Sequence, residues 1–136
     1  MSNGNFEMYK NKDWPEYGRD NEEYVDLDSW DALKYFIIRD FERINRRISA
    51  KKLLKSLWTE PGFKYVLWMR ITRFSHLNHK KLLFSFARMV LRHHSYKFGF
   101  DISWRAQILP GFAIGHWGSI IIQGSTVIGS NCFVRP

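Results

Sequence analysis

The stretch that decides the fold is IGHWGSIIIQGSTVIGSNCFVRP, residues 114–136. Isoleucines recur here at every sixth position, in a series that begins upstream: Ile102, Ile108, Ile114 and Ile120, followed in phase by Thr126 and Cys132, with Ile122, Ile128 and Val134 in a second phase. An α-helix places apolar residues every three or four positions, and a hairpin alternates them between turns. A period of six is typical instead of a parallel β-helix of hexapeptides, in which each hexapeptide forms one short flat side.

Glycines between these positions predict the corners of the coils, because glycine tolerates a positive φ: Gly111, Gly115, Gly118, Gly124 and Gly129. If three hexapeptides form a coil, equivalent residues lie about 18 positions apart and stack on one another. Cys132 is then a small buried residue of one stack. It is the only cysteine in the sequence, so no intramolecular disulfide is expected.

The composition divides the chain into three segments. Residues 1–27 are a polar, acidic arm, residues 28–100 carry helical patterns, and residues 101–136 form the hexapeptide region, in which only Asp101, Arg105 and Arg135 carry a formal charge. Periodicity predicts four helices: residues 27–47, 49–58, from 59 to about 74, and 78–99. Asp28 and Asp31 have capping-box spacing before the first helix, and Thr59 and Pro61 suit the start of the third. We therefore expect an α+β protein whose β-helix ends after about two coils.

The net charge of +8 is unevenly distributed. Residues 1–31 hold nine acidic and three basic side chains, a net of −6, whereas residues 32–136 hold four acidic and eighteen basic ones, a net of +14. A basic body can contact nucleic acid, an anionic membrane surface or a phosphorylated ligand, or be a solvated surface partly neutralised by the acidic arm. No nucleic-acid motif accompanies the charge, so no nucleic-acid partner is expected, while peripheral association with an anionic membrane stays open.

Location and metal binding are constrained by what the sequence lacks. Its apolar runs are a few residues long, too short to span a bilayer, and its N-terminus lacks the layout of a signal peptide. A cytoplasmic protein is the simplest expectation.

His93 and His94 are adjacent on a predicted helix and diverge around it, so they are a poor metal pair and no metal is expected. Arg70 falls on the apolar face of the third helix, where a buried arginine needs a carboxylate or several carbonyl partners. An arginine that extends its charge to an interface is the alternative.

The segment DISWRAQILPGFAIGHWGSIIIQGSTVIG, residues 101–129, resembles the start of the catalytic domain of serine acetyltransferases and bacterial polysaccharide O-acetyltransferases. The serine enzymes begin this stretch with DIHPAA, carry an acidic residue directly before a histidine, and continue with VIGE. Upstream, PGFKYVLWMRI (residues 61–71) resembles the helical GF-A----YRI segment of that family. The resemblance implies a left-handed parallel β-helix, a homotrimer or larger oligomer, and transfer of an acetyl group from acetyl-CoA to a hydroxyl.

The resemblance also implies roles for individual residues. His116 corresponds to the general base and Asp101 to the aspartate that orients it. A neutral imidazole can remove the proton of an alkyl hydroxyl as it attacks a thioester, and a carboxylate can steady the imidazolium. With coils of three hexapeptides, Asp101 and His116 would lie on neighbouring coils about 4.8 Å apart, within reach of a hydrogen bond. Trp117 could stack on a sugar ring or pack between subunits, and Arg70 is a weaker candidate for substrate binding.

Two departures from the family pattern leave the acceptor open. Gly115 and Gly124 stand where the serine enzymes carry acidic residues associated with the amino-acid acceptor. L-serine is therefore one candidate, and a sugar of a polysaccharide precursor, which needs no such acid, is the other. The alternative hypothesis is a non-catalytic fragment or docking module that pairs with another hexapeptide-repeat chain.

Overall fold

The computed structural model describes residues 26–45 and 47–136, so nearly all of the predicted arm at residues 1–27 lies outside the described residues. The described part holds four helices: α1 (Trp30–Ile44), α2 (Ala50–Thr59), α3 (Pro61–Leu77) and α4 (Lys81–Phe98). Six short strands follow: β1 (Phe100–Ile102), β2 (Gln107–Ile108), β3 (Ala113–Ile114), β4 (Ile120–Ile122), β5 (Val127–Ile128) and β6 (Phe133–Val134). The fold is mixed α+β. Within the described ranges, every helix is too short or too polar to cross a bilayer.

Serine side chains start the first two helices. Ser29 and Ser49 each accept a hydrogen bond from a backbone N–H of the first turn, which satisfies a donor without a partner inside the helix. The predicted capping role of Asp28 is therefore wrong by one residue. The predicted cap Thr59 is also wrong, because Thr59 is the last residue of α2. Pro61 does occupy the first turn of α3, where its missing N–H costs nothing.

The strands pair in parallel as three two-stranded sheets, in the orders β1–β4, β2–β5 and β3–β6. In every sheet the partner residues lie 20 positions apart: Phe100 beside Ile120, Gln107 beside Val127, and Ala113 beside Phe133. The chain thus completes one turn of three short sides, the first turn (residues 100–119), and stacks the second turn (residues 120–136) against it.

Stacked positions were predicted to lie about 18 residues apart, and the structure places them 20 residues apart. The difference of two residues lies in a single corner. Inward positions follow at intervals of six from Ile102 to Ile114, but the next equivalent position is Ile122, eight positions later. The two additional residues fall between β3 and β4, in residues 115–119. Because of these two residues, the inward positions pass from the first series of the sequence, which contains Ile102, to the second series, which contains Ile122. Ile102 therefore pairs with Ile122 instead of Ile120.

The same backbone turn occurs at equivalent positions of the two turns. Gly111 has a φ of +86°, and Asn131, its counterpart in the second turn, has a φ of +60°. Glycine and asparagine are the residues that tolerate this left-handed conformation. Among the glycines predicted at corners, Gly111 and Gly118 adopt a positive φ.

A shared core fixes the helices against the strands. Its buried members come from α3, α4 and the strand region: Tyr65, Val66, Met69, Leu91, Phe98, Phe100, Ile102, Ala106, Ile108, Phe112, Ile114 and Ile120. Apart from Ile120, the apolar residues of the second turn that pack against this core are only partly buried: Ile122, Ile128, Cys132 and Val134. A second cluster joins the N-terminal region to α3: Leu27, Leu33, Tyr35, Phe36 and Phe74. The first turn, which carries the candidate site, is therefore held by the helical region.

A buried ion pair connects two helices to the first turn. Arg70 of α3 donates from Nε and Nη2 to the carboxylate of Asp40 of α1, at 2.8 and 3.1 Å. Both side chains are almost fully buried, at 2% and 1% exposure. Arg70 also donates to the backbone carbonyls of residues 108–109, and Asp40 accepts from the N–H groups of residues 111–112 at 2.9 and 2.8 Å. We call this arrangement the Asp40–Arg70 hub.

Candidate functional site

The candidate base His116 lies in the corner loop, residues 115–119, which connects β3 to β4. Backbone hydrogen bonds fix both ends of this loop. At its start, Gly115 N–H donates to the carbonyl of Val134 at 2.9 Å, and near its end Gly118 N–H donates to the carbonyl of the last residue of α4 at 3.2 Å. Gly118 has a φ of +150°, a conformation that favours glycine. The loop is thus held between the helical region and the second turn.

His116 and Trp117 project from the corner loop into solvent. Trp117 is 69% exposed, and His116 is also exposed. In the part of the chain that the structure describes, no hydrogen bond or ion pair engages the imidazole of His116. Both ring nitrogens are therefore accessible to a ligand, and a neutral imidazole can accept a proton from a hydroxyl group.

Asp101, the predicted partner of His116, lies in β1 with an exposed side chain. Its neighbour in the parallel pair is Ile121, five positions after His116. Within the described residues, no hydrogen bond or ion pair joins Asp101 to His116. The predicted geometry assumed coils of three equal hexapeptides, and the two additional residues of the corner loop change it. The orienting role of Asp101 stays a prediction.

A cationic and aromatic cluster lies beside the corner loop. The ring of Phe133 is 6.0 Å from the guanidinium of Arg43 and 5.1 Å from that of Arg135. A β-carbon added to Gly115 would lie 2.6 Å from the Phe133 ring and 3.1 Å from the Arg135 side chain, so the cluster adjoins the start of the loop. Both arginines are exposed. Guanidinium groups are well suited to binding phosphate.

Sequence reasoning missed this Arg43–Phe133–Arg135 cluster. Its members come from α1, from β6 and from the residue after β6, and only the fold brings them together. The one available signal was the accumulation of basic residues toward the end of the first predicted helix. Such an accumulation ordinarily complements the helix dipole and does not indicate a site.

The two glycines that depart from the family pattern have close neighbours. At Gly115 an added β-carbon would displace the Phe133 ring. At Gly124 it would lie 3.1 Å from the hydroxyl of Ser103 and 3.2 Å from the β-carbon of Arg105. Acidic side chains at these positions would therefore require their neighbours to move, and the glycines suit the observed packing.

Arg70 is accounted for by the Asp40–Arg70 hub. The prediction that it needs a carboxylate or several carbonyls is confirmed, because it binds Asp40 and two backbone carbonyl oxygens. Its guanidinium also lies 4.8 Å from the ring centre of Phe36. At 2% exposure this environment favours a structural role over the predicted contact with substrate.

Comparisons with known proteins identify no relative: no protein-family model, curated protein or solved structure matches this chain. Among residues 26–45 and 47–136, no group of three or more metal-ligating side chains is arranged to hold a metal ion. What distinguishes the corner loop is its own geometry, an exposed imidazole and an exposed indole on a loop with fixed ends beside two arginines.

Proposed function

We propose that this chain is part or all of an acetyl-CoA-dependent O-acetyltransferase, and that residues 100–136 are the first coils of a left-handed parallel β-helix. One observation carries the proposal: the exposed imidazole of His116 follows Gly115, the residue at which the corner loop adjoins the Arg43–Phe133–Arg135 cluster. A general base next to cations that can hold phosphate is what acyl transfer from a phosphorylated thioester carrier requires.

In the proposed reaction, His116 removes the proton of an acceptor hydroxyl as its oxygen attacks the carbonyl carbon of acetyl-CoA. The carbon–sulfur bond then breaks, the acetyl ester forms, and the sulfur of CoA leaves and takes the proton back from the imidazolium. No change of oxidation state is involved. Asp101 is proposed to orient the imidazole, because a carboxylate that accepts a hydrogen bond from an imidazole stabilises the imidazolium. Arg43 and Arg135 are proposed to bind the phosphate groups of CoA.

The proposed acceptor is a sugar hydroxyl, with L-serine as the alternative. The two glycines Gly115 and Gly124 leave no carboxylate at the positions that the serine enzymes use, whereas Trp117 offers a 69% exposed aromatic face on which a sugar ring can stack. A panel of sugar nucleotides and L-serine, each assayed with acetyl-CoA, separates the two. Transfer to L-serine alone would contradict the sugar acceptor.

The catalytic proposal is tested with His116→Ala in the full chain. Removing a general base is expected to slow transfer by about 10²- to 10⁴-fold, while the fold is retained because the side chain is exposed. His93→Ala is the matched control, an exposed histidine on α4 whose loss should leave transfer unchanged. Full activity of His116→Ala, with an unchanged circular dichroism spectrum, would refute the proposal.

Cofactor binding is tested by calorimetric titration with CoA, which requires no knowledge of the acceptor. Arg43→Gln combined with Arg135→Gln should weaken binding at least tenfold, since each hydrogen bond to a charged group contributes about 1.5–3 kcal/mol. Lys34→Gln combined with Arg47→Gln removes the same charge from exposed positions elsewhere. Equal effects of the two pairs would mean that the Arg43–Phe133–Arg135 cluster is not the binding site.

A homotrimer or larger oligomer in the cytoplasm is part of the proposal. The second candidate function is a docking module that pairs with another chain, and one observation favours it. Outward positions of the second turn are apolar and exposed, with Ile121 at 72% and Val127 at 52%, whereas their neighbours in the first turn are Asp101 and Gln107. Such exposed side chains suit a contact with another chain. Light scattering with size-exclusion chromatography tests the oligomeric transferase and the docking module together. A monomer at all concentrations would count against both hypotheses.

A further inference from the structure

The helix α4 is apolar on two opposite faces. Its buried face packs into the protein with Ala87, Leu91 and Phe98. The opposite face exposes a second apolar row, which we call the α4 stripe: Leu82 at 90% exposure, Phe86 at 52%, Met89 at 64% and Tyr96 at 76%. Surface helices ordinarily carry polar residues on the face that points away from the core. Apart from the edge-to-face contact of Phe86 with Trp68, at 5.8 Å between ring centroids, the described residues leave the α4 stripe open to a partner.

The stripe is continuous along the helix. Its members follow at steps of four and three positions, and the exposed His93 fills the place between Met89 and Tyr96. At about 100° per residue these positions fall within an arc of roughly 80°. With a rise of about 1.5 Å per residue, the 18-residue helix is about 27 Å long. The stripe is a straight apolar line on one side of the molecule.

The charged side chains that α4 itself places beside the stripe are all basic. The sequence of α4 contains no acidic residue, and its exposed basic residues flank the stripe: Lys81, Arg88 and Arg92 on one side, and Lys97 on the other. The guanidinium of Arg92 donates to the hydroxyl of Tyr96 at 3.0 Å, so charge and stripe are in direct contact. Leucine, phenylalanine, methionine and tyrosine in a row beside lysine and arginine are typical of helices that lie in the interface of an anionic membrane.

We propose that α4 binds the surface of an anionic membrane, with its axis parallel to the bilayer and the α4 stripe among the lipid headgroups. The basic charge of α4 distinguishes an anionic membrane from the other possible partners of this face. A second copy of the same helix would bring like charges together, and the helix carries no acid to pair with them. A nucleic acid would match the charges but not the apolar row. This inference is independent of the proposed transferase activity.

The electrostatic part of the proposal is tested by co-sedimentation of the full chain with vesicles of phosphatidylcholine in which about one lipid in three is phosphatidylserine. Arg88→Gln combined with Arg92→Gln should weaken binding by about thirty-fold, since each basic residue near such a surface contributes on the order of 1 kcal/mol. Lys34→Gln combined with Arg47→Gln is the control for net charge and should have a smaller effect. Binding should also weaken as salt is raised from about 0.15 M to about 0.5 M, because the screening length shortens.

The apolar part is tested with Leu82→Ser combined with Met89→Ser. Both side chains are exposed, so folding is retained and circular dichroism verifies it, while vesicle binding should fall at least tenfold. Ile121→Ser, at 72% exposure outside the stripe, is the matched control. The proposal is overturned by failure to bind anionic vesicles, by equal binding to pure phosphatidylcholine, or by variants that bind like the unchanged protein. A change in oligomer mass without vesicle binding would also overturn it, because the stripe would then join copies of this chain.

Discussion

Replacing Asp40 by asparagine should destabilise the protein severely. The carboxylate accepts two hydrogen bonds from Arg70 and two from backbone N–H groups of the first turn, and it is 1% exposed. In Asp40→Asn the amide oxygen can still accept from one side, but the amide nitrogen then faces the guanidinium. Breaking a buried ion pair by removing one charge costs about 3–5 kcal/mol. This is a large fraction of the roughly 5–15 kcal/mol by which a domain is stable.

The assay is urea unfolding followed by tryptophan fluorescence, which the six tryptophans make sensitive. With a slope of about 2 kcal/mol per molar urea, a loss of about 4 kcal/mol lowers the midpoint by roughly 2 M. Asp28→Asn is the control, because Asp28 is exposed and its loss should change the free energy of unfolding by less than about 0.5 kcal/mol.

A double-mutant cycle adds a sharper criterion. Asp40→Leu combined with Arg70→Met leaves no uncompensated buried charge, so the pair should lose less stability than the sum of the two single changes. A loss below about 1 kcal/mol for Asp40→Asn, or additive losses in the cycle, would refute the view that the Asp40–Arg70 hub holds the helices against the strands.

Three further predictions concern stability. Gly62→Ala should destabilise the protein by about 1–3 kcal/mol although alanine favours helices, because its β-carbon would lie 2.4 Å from a backbone oxygen of β3. The control is Gly129→Ala, whose β-carbon would meet nothing within 4 Å. In urea unfolding it should change the free energy of unfolding by less than about 0.5 kcal/mol. Burial lowers the pKa of His94 below its ordinary value, so the unfolded chain binds the proton first and the free energy of unfolding should fall as the pH drops through about 6.5. His94→Gln should reduce that slope and the exposed control His93→Gln should not, with the opposite ranking contradicting the assignment. Tyr65→Phe should cost about 1–3 kcal/mol by thermal unfolding, since the buried hydroxyl bonds both the N–H and the carbonyl of one residue in β1, and an unchanged melting temperature would contradict this.

The sequence was sufficient to predict the elements but not the register of the strands. Helical periodicity located four helices, and the period of six located the parallel strands. The two-residue enlargement of the corner loop was not visible, because three consecutive isoleucines, residues 120–122, satisfy either phase. Which isoleucine points inward is decided by pairing with β1, a contact between different turns of the chain.

The candidate site was likewise predictable only where it is local in sequence. The residues of the corner loop stand together in the chain, so His116 and Trp117 could be singled out. Arg43 and Phe133 belong to opposite ends of the described chain, and a sequence pattern contains no sign that they meet. For Arg70, its place on the apolar face of α3 predicted a carboxylate or several carbonyl partners for a buried arginine, but its burial and the identity of Asp40 required the fold.

The Asp40–Arg70 hub also has a consequence for the order of folding. Each strand pair joins only successive turns of the chain, as Phe100 pairs with Ile120, whereas the bond from Asp40 to the N–H of Gly111 joins groups 71 positions apart. Closing a longer loop costs more chain entropy, so contacts within the helical region and between the two turns can form before the hub does. Asp40→Asn should then accelerate unfolding while leaving the refolding rate nearly unchanged. The hub then forms late in folding, and its main effect is to slow unfolding and so to lengthen the lifetime of the folded state.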